Sequence, residues 1–257
     1  FMLQLISSQL DMDRMDYLKR DSFYSGVSEG NVNSERIIQM MNVVDDVLVI
    51  EEKGIYSVEK FLMSRRLMYW QVYLHKTSLV AESILTKILK RAKELTLKGE
   101  ELTASSPLSF FMHNKVTMET FDADTLNLFS KLDDFDIISA LKSWQDHPDF
   151  ILSSLSKMII NRDLLKIKLS SEKVTSEELL PLKERFVLEN GITLAEANYF
   201  IFRGKIKNQA YSKEAEPIRI LKKDKTIEDI VDASDQLNFK SVSKFVTKYY
   251  ICFPKQL

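Results

Sequence analysis

The sequence predicts a mainly helical α+β protein, and three observations carry that prediction. Apolar residues recur at helical spacing over most of the chain. Short apolar or alternating runs interrupt that spacing in the first quarter and again in the last third. The composition, 45% hydrophobic and 28% charged with 6 Gly and 5 Pro in 257 residues, is that of a folded chain and not of a disordered or collagen-like one.

In order along the chain, Leu3, Ile6, Leu10, Met15 and Leu18 place a helix over Leu3–Phe23, ended by Gly26 and Gly30. Asn33 and Ser34 start a second helix through Met41. Val47–Ile50, Gly54 and Ile55–Ser57 read as strand, turn and strand. Ser57 caps a helix from Val58 to about His75, and Leu79–Leu97 forms another that stops at Gly99. Thr103–Pro107, small, polar and closed by proline, is the linker candidate. Beyond it Asp124–Lys131, Asp134–Trp144 and Pro148–Ile160 are helices, with Asp or Pro at their starts. Leu164–Leu169 alternates like a strand, Ser176–Asn190 is a helix stopped by Gly191, and Tyr199–Ile206 and Ile218–Leu221 are further strands. The expected domains are 1–100 and 101–257. No internal repeat or heptad run is present.

Charge and cysteine content narrow the function classes. With 36 Lys and Arg against 37 Asp and Glu, the chain lacks the basic excess of a dedicated nucleic-acid binder. The lone Cys252 allows no intrachain disulfide and no cysteine-based zinc site, which fits a reducing compartment. Uninterrupted apolar runs such as Val47–Ile50 are far short of the roughly 20 residues of a membrane span. The first residues carry no basic stretch or cleavage site of a signal peptide. The expectation is a cytoplasmic protein with no membrane partner. Phe1 before Met2, in mid-pattern, reads as the start of a piece cut from something longer.

Several motifs are missing from the sequence. His75, His113 and His147 are dispersed with no His-x-x-x-His or Glu-x-x-His pair, so they form no self-contained metal site. No Gly-rich phosphate loop and no Gly-x-Ser-x-Gly occurs. Two constellations remain. Asp13, Tyr17 and Asp21 are spaced by four on one face of the first helix, while Asp16 and Arg20 can pair on another. Arg65, Tyr69 and Tyr73 are likewise spaced by four, with Lys76 three further, among Leu62, Met68 and Val72. Spacing alone leaves two readings of each: a solvated or snorkelling face, which is the commoner case, or the polar wall of a pocket. Between Lys60 and Lys98 stand Lys60, Arg65, Arg66, Lys76, Lys87, Lys90, Arg91, Lys93 and Lys98 against Glu82 and Glu94, a concentration of positive charge that a polyphosphate could use.

The run Asp11-Met-Asp13-Arg14-Met-Asp16-Tyr17-Leu-Lys19-Arg20-Asp21 resembles the Asp-x-Asp-[Lys/Arg]-x-Asp-Tyr-x-x-Arg-Asp signature of HD-superfamily phosphohydrolases. The branch it resembles holds the SAM-and-HD-domain deoxynucleoside triphosphate triphosphohydrolases and their bacterial relatives. Arg65, eight residues before Tyr73-Leu74-His75-Lys76, agrees in order and spacing. The resemblance covers about residues 1–100 well. It implies that 1–100 is the C-terminal part of an HD domain, followed by an accessory helical and mixed lobe over 101–257. It also implies a metal-dependent phosphohydrolase acting on a nucleotide or another phosphate ester. By position, Asp13 resembles the last metal ligand of the family's His, His-Asp, Asp set. Arg14 and Arg65 resemble its phosphate contacts, and Tyr17, Asp21 and Tyr73 the residues that hold the sugar and orient the nucleotide, with Lys76 beside them among the substrate-binding residues.

The implied cofactor is a divalent metal (Mg, Mn, Fe, Ni or Zn) that lowers the pKa of a water while Arg or Lys neutralises phosphate charge. The implied assembly is a homo-oligomer. The family's first His and its His-Asp pair precede this signature, whereas this chain holds no His-Asp dipeptide, only the reversed Asp146-His147. The metal's other ligands are therefore expected outside the chain, which by itself is expected to be inactive. The rival readings are a non-catalytic nucleotide-binding or regulatory HD-like protein and a protein-interaction module.

Overall fold

Helices built on the expected apolar spacing dominate the structure, a computed structural model that describes residues 1–235 and 245–257. The architecture is α+β. It divides into two units, Phe1–His75 with Lys205–Lys248, and Lys76–Gly204 with Tyr249–Leu257. The units part at 75/76, 204/205 and 248/249, and residue 100 lies inside the second.

The first unit opens with α1 (Met2–Ile6) and α2 (Met12–Ser25), where a single helix was expected. The break has a local cause. The Asp11 carboxylate accepts hydrogen bonds from the Arg14 backbone N at 2.7 Å and the Ser8 backbone N at 3.1 Å, and a side chain that caps a helix start cannot lie inside a helix. Gly26, at φ 72°, ends α2 in the left-handed conformation that glycine adopts without cost. α3 (Ser34–Gln39) is capped by Asn33 as expected, and stops before Met41.

The hairpin is displaced from its expected place. Its strands are β1 (Met41–Val44) and β2 (Val47–Glu51), joined at Asp45 and Asp46 with φ of 49° and 60°. Ile55–Ser57, expected as the second strand, instead begins α4 (Ile55–Met68). Gly54 serves a close approach and not the hairpin turn: a Cβ there would lie 2.7 Å from Ile50 Cγ2 and 2.9 Å from Met40 Cβ. After α4 the chain widens into a π-helical turn over Tyr69–Tyr73, closed by the Leu74 N–H donating to the Tyr69 carbonyl at 2.7 Å.

In the second unit, α5 (Lys76–Thr96) buries Leu79, Val80, Ile84, Ile88, Ala92 and Leu95 along one stripe. Each fully buried aliphatic side chain contributes about 1.5–3 kcal/mol relative to exposure. Thr103–Pro107 is not a linker between units. Ser105 caps α6 (Ser106–His113), Pro107 sits in its first turn, and the Trp144 indole N–H donates to the Thr103 carbonyl at 3.0 Å. α7 (Ala123–Phe129), α8 (Asp134–Trp144) and α9 (Phe150–Ile160) follow within a residue or two of their expected bounds. β3 (Lys166–Ser170), α10 (Leu180–Asn190), α11 (Leu194–Ala197) and β4 (Phe202–Asn208) come next.

The chain then supplies β5 (Arg219–Leu221), β6 (Ile227–Asp229) and α12 (Ile230–Ala233) to the first unit, and β7 (Val246–Phe253) near its end. One sheet runs β1-β2-β5-β6, with β2 and β5 parallel and Ile50 opposite Ile220. The other runs β3-β7-β4, with β3 and β7 antiparallel and Ile167 opposite Cys252. Each unit has its own core. Leu18, Phe61, Leu62, Met68 and Ile220 are fully buried in the first, and Ile84, Ile88, Leu141 and Leu152 in the second. Among the described residues no helix is long and apolar enough to cross a membrane.

Candidate functional site

Two helices of the first unit bring four of the sequence-predicted residues together. α2 is held against the core by Met15, Leu18 and Ser22, which leaves Tyr17 and Asp21 half-buried beside it. α4 is anchored by Val58, Phe61, Leu62 and Met68, and its last turn and the π-helical turn after it carry Arg65, Tyr69 and Tyr73. The Tyr73 hydroxyl donates to Asp21 Oδ2 at 2.8 Å. Its ring meets that of Tyr17 edge-on at 5.8 Å and that of Tyr69 at 5.2 Å.

Arg65 completes the cluster. Its Nη1 donates to the Ala210 carbonyl at 3.0 Å, and its guanidinium carbon lies 5.6 Å from the centre of the Tyr69 ring. Its Nε is buried and has no hydrogen-bond partner. A buried donor left unmade costs about 1–3 kcal/mol, and an incoming anion removes that cost.

Tyr17 and Tyr73 stay protonated here. Burial, the Asp21 bond and the Asp21 charge hold the Tyr73 hydroxyl above its usual range. Burial, then the neighbouring Tyr69, raise that of Tyr17, opposed by the positive charges of Arg65 and Arg14. Tyr73 therefore presents a hydroxyl already committed to Asp21, not one free for a ligand. The cluster is a half-buried cationic seat walled by three phenols, suited to an oligophosphate with a sugar or ring beside it.

Arg14 is tied differently. Its Nε donates to Asp11 Oδ2 at 3.1 Å, and Asp11 is only 5% exposed. The carboxylate that caps α2 thus also steers this cation. Asp11 was visible in the sequence only as part of the signature, and its signal was the cap position itself, an Asp immediately before a helical run. The Ala210 carbonyl, 145 residues from Arg65, had no sequence signal.

Asp13 lies on the first turn of α2, exposed. Among the described residues no three His, Cys, Asp or Glu side chains converge as a metal site. His113 and His147 are engaged locally, with the Ser109 carbonyl and the Asp149 backbone N–H. The described residues by themselves do not make the implied metal centre. Lys76 is the exposed first residue of α5, in the other unit.

A groove of about 650 Å³ opens on another flank of α2, lined by Asp16, Lys19, Arg20, Ser22, Phe23, Tyr24, Ser28 and Asn31. None of the predicted site residues lines it. Arg20 there is paired with Asp16 at 2.6 Å, both more than half exposed. Solvated charges of that kind bind weakly.

Residues 32–112 match the model of the family described as the HD associated region. A crystal structure of a phosphohydrolase from Bacteroides thetaiotaomicron is 51% identical, with TM-score 0.92, over 99% of this chain and 64% of its own. The uncharacterised protein YwfO of Bacillus subtilis is 45% identical over 166 residues, which are 64% of this chain and 36% of that protein. A Dictyostelium discoideum protein named deoxynucleoside triphosphate triphosphohydrolase SAMHD1 homolog is 27% identical over 95 residues, 37% of this chain and 18% of its own. The chain therefore spans less than two thirds of each of these relatives.

Proposed function

From a chain that is HD-superfamily phosphohydrolase-like in sequence and fold, we infer that it supplies the phosphate-binding part of a metal-dependent phosphohydrolase acting on a nucleotide, of the deoxynucleoside triphosphate kind, or on another phosphate ester. One observation supports this most: Arg65, with a buried and unpartnered Nε, stands among Tyr17, Tyr69 and Tyr73. A guanidinium in that position is ready for a phosphate oxygen and poorly served without one.

In this reading Arg65 and Arg14 take the phosphates and screen the charge that develops on them. Tyr17 and Tyr73 wall the sugar, and Asp21 orients Tyr73. Residues 1–100 act as the C-terminal part of the HD-type domain and 101–257 as its accessory lobe. The divalent metal is held by ligands that these 257 residues do not supply, with Asp13 as the one they contribute. Lys76 joins the substrate side, and self-association and a cytoplasmic location complete the proposal.

The test uses the 257-residue protein and a non-hydrolysable deoxynucleoside triphosphate analogue. Arg65→Ala is expected to lower its affinity by about tenfold or more, near 1.4 kcal/mol, with little change in melting temperature. An unchanged affinity overturns the reading. After dialysis against manganese the same protein is expected to retain less than one equivalent and to turn over no phosphate ester, since one carboxylate cannot replace a set of imidazoles and carboxylates. Stoichiometric metal with turnover would place the ligand set within the chain.

A further inference from the structure

Tyr69 touches two of the residues assigned above to the ligand, although the family resemblance gives it no role of its own. Its ring lies 5.6 Å from the Arg65 guanidinium carbon and meets the Tyr73 ring edge-on at 5.2 Å. Its carbonyl closes the π-helical turn by accepting from the Leu74 N–H at 2.7 Å.

An arginine side chain has several rotatable bonds, and a guanidinium that must meet an anion in one orientation binds better if that orientation is fixed beforehand. Two contacts fix it here. The Ala210 carbonyl holds one edge, and the Tyr69 ring lies against the guanidinium. The Nε left over is the one buried donor of this side chain without a partner. Widened turns of this kind are rare and recur at functional sites.

Resting on the reading of the cluster as an anion seat, we propose that Tyr69 is its positioning residue, its ring orienting Arg65 so that an oligophosphate meets a guanidinium already set in place. Tyr69 binds no phosphate itself. Its effect on affinity passes through Arg65.

The experiment is calorimetric titration of the 257-residue protein with inorganic tripolyphosphate, for wild type, Tyr69→Leu, Arg65→Ala and the double variant. Tyr69→Leu removes the ring and is expected to weaken binding by about threefold to tenfold, the range of a partly desolvated cation–π contact. In the Arg65→Ala background the same substitution is expected to change nothing further, because the residue through which it acts is gone. A loss of equal size in both backgrounds, or none in either, overturns the proposal for Tyr69 while leaving Arg65 as the anion contact. No effect of Arg65→Ala, or no binding by wild type at millimolar tripolyphosphate, overturns the reading of the seat and Tyr69 with it.

Tyr69→Phe tests the role of the ring where Tyr69→Leu does not fold. It keeps the ring, so tripolyphosphate affinity is expected to stay within about twofold. A loss of about tenfold or more in Tyr69→Phe would place the effect in the hydroxyl and overturn the proposal.

Discussion

At the scale of single residues, the structure assigns the Tyr73 hydroxyl to Asp21, which makes their coupling measurable. The bond is 2.8 Å long and its acceptor is a half-buried carboxylate. Hydrogen bonds to charged groups contribute about 1.5–3 kcal/mol. Tyr73→Phe and Asp21→Ala are each expected to lower stability by about 1–2 kcal/mol, and the double variant by about the same as either alone, because both break one bond. Denaturant unfolding of the four proteins checks this, and additive losses would contradict it. Much of this residue chemistry was legible in the sequence. The four-residue spacings put Tyr17 with Asp21 and Arg65 with Tyr69 and Tyr73 on shared helix faces. These five side chains are the ones the fold brings together, while Asp13 of the same spacing stays exposed outside them. What spacing could not show is which groups satisfy one another: the Arg14 tie to Asp11, the Arg65 bond to Ala210 and the burial of Arg65 Nε all depend on segments that meet only in the folded chain.

At the scale of elements, the second unit turns on one ion pair. Arg91 of α5 reaches Asp149, the cap of α9, with Nε at 3.1 and 3.2 Å from its two oxygens and Nη2 at 2.6 Å. Their side chains are 12% and 14% exposed, so solvent screens them little. Burial pushes the Asp149 carboxyl up, but the bonds from Arg91 and from the Leu152 N–H bring it net below its usual value. A carboxylate depressed in the folded state stabilises above the ordinary aspartate pKa, about 3.9, and the benefit is lost as pH falls through the lower folded value. Asp149→Asn is therefore expected to cost about 2–3 kcal/mol at pH 7 and distinctly less at pH 3, measured by denaturant unfolding at both. A cost equal at the two pH values would contradict this role.

The elements themselves were legible where period and cap agreed, as in α5, α8, α9 and α10. They were not where a tertiary contact or a turn outvoted the pattern. The β1 strand is four residues long, and its turn uses Asp45 and Asp46 at positive φ with no glycine to announce it. Gly54 looked like that turn but is small because Ile50 and Met40 crowd it. β7, rich in aromatic and β-branched residues, carried a strand signal that went unread.

At the scale of the whole chain, two units with separate cores arise from a sequence whose net charge is −1. The proposed anion seat draws on no overall excess of positive charge but on one guanidinium placed among phenols, and a residue count does not distinguish the two. The order of elements along the chain was legible; their division into units was not, because residues 205–248 return to the first unit through the pairing of β5 with β2. The measurement that tests the account most directly is the NMR titration of the arginine side-chain N–H resonances with the non-hydrolysable deoxynucleoside triphosphate analogue. The account predicts that the Arg65 Nε–H signal shifts saturably as its orphaned donor finds a phosphate oxygen, with Arg14 shifting alongside. Saturable shifts confined to Arg20 in the open groove, with Arg65 unmoved, would contradict it.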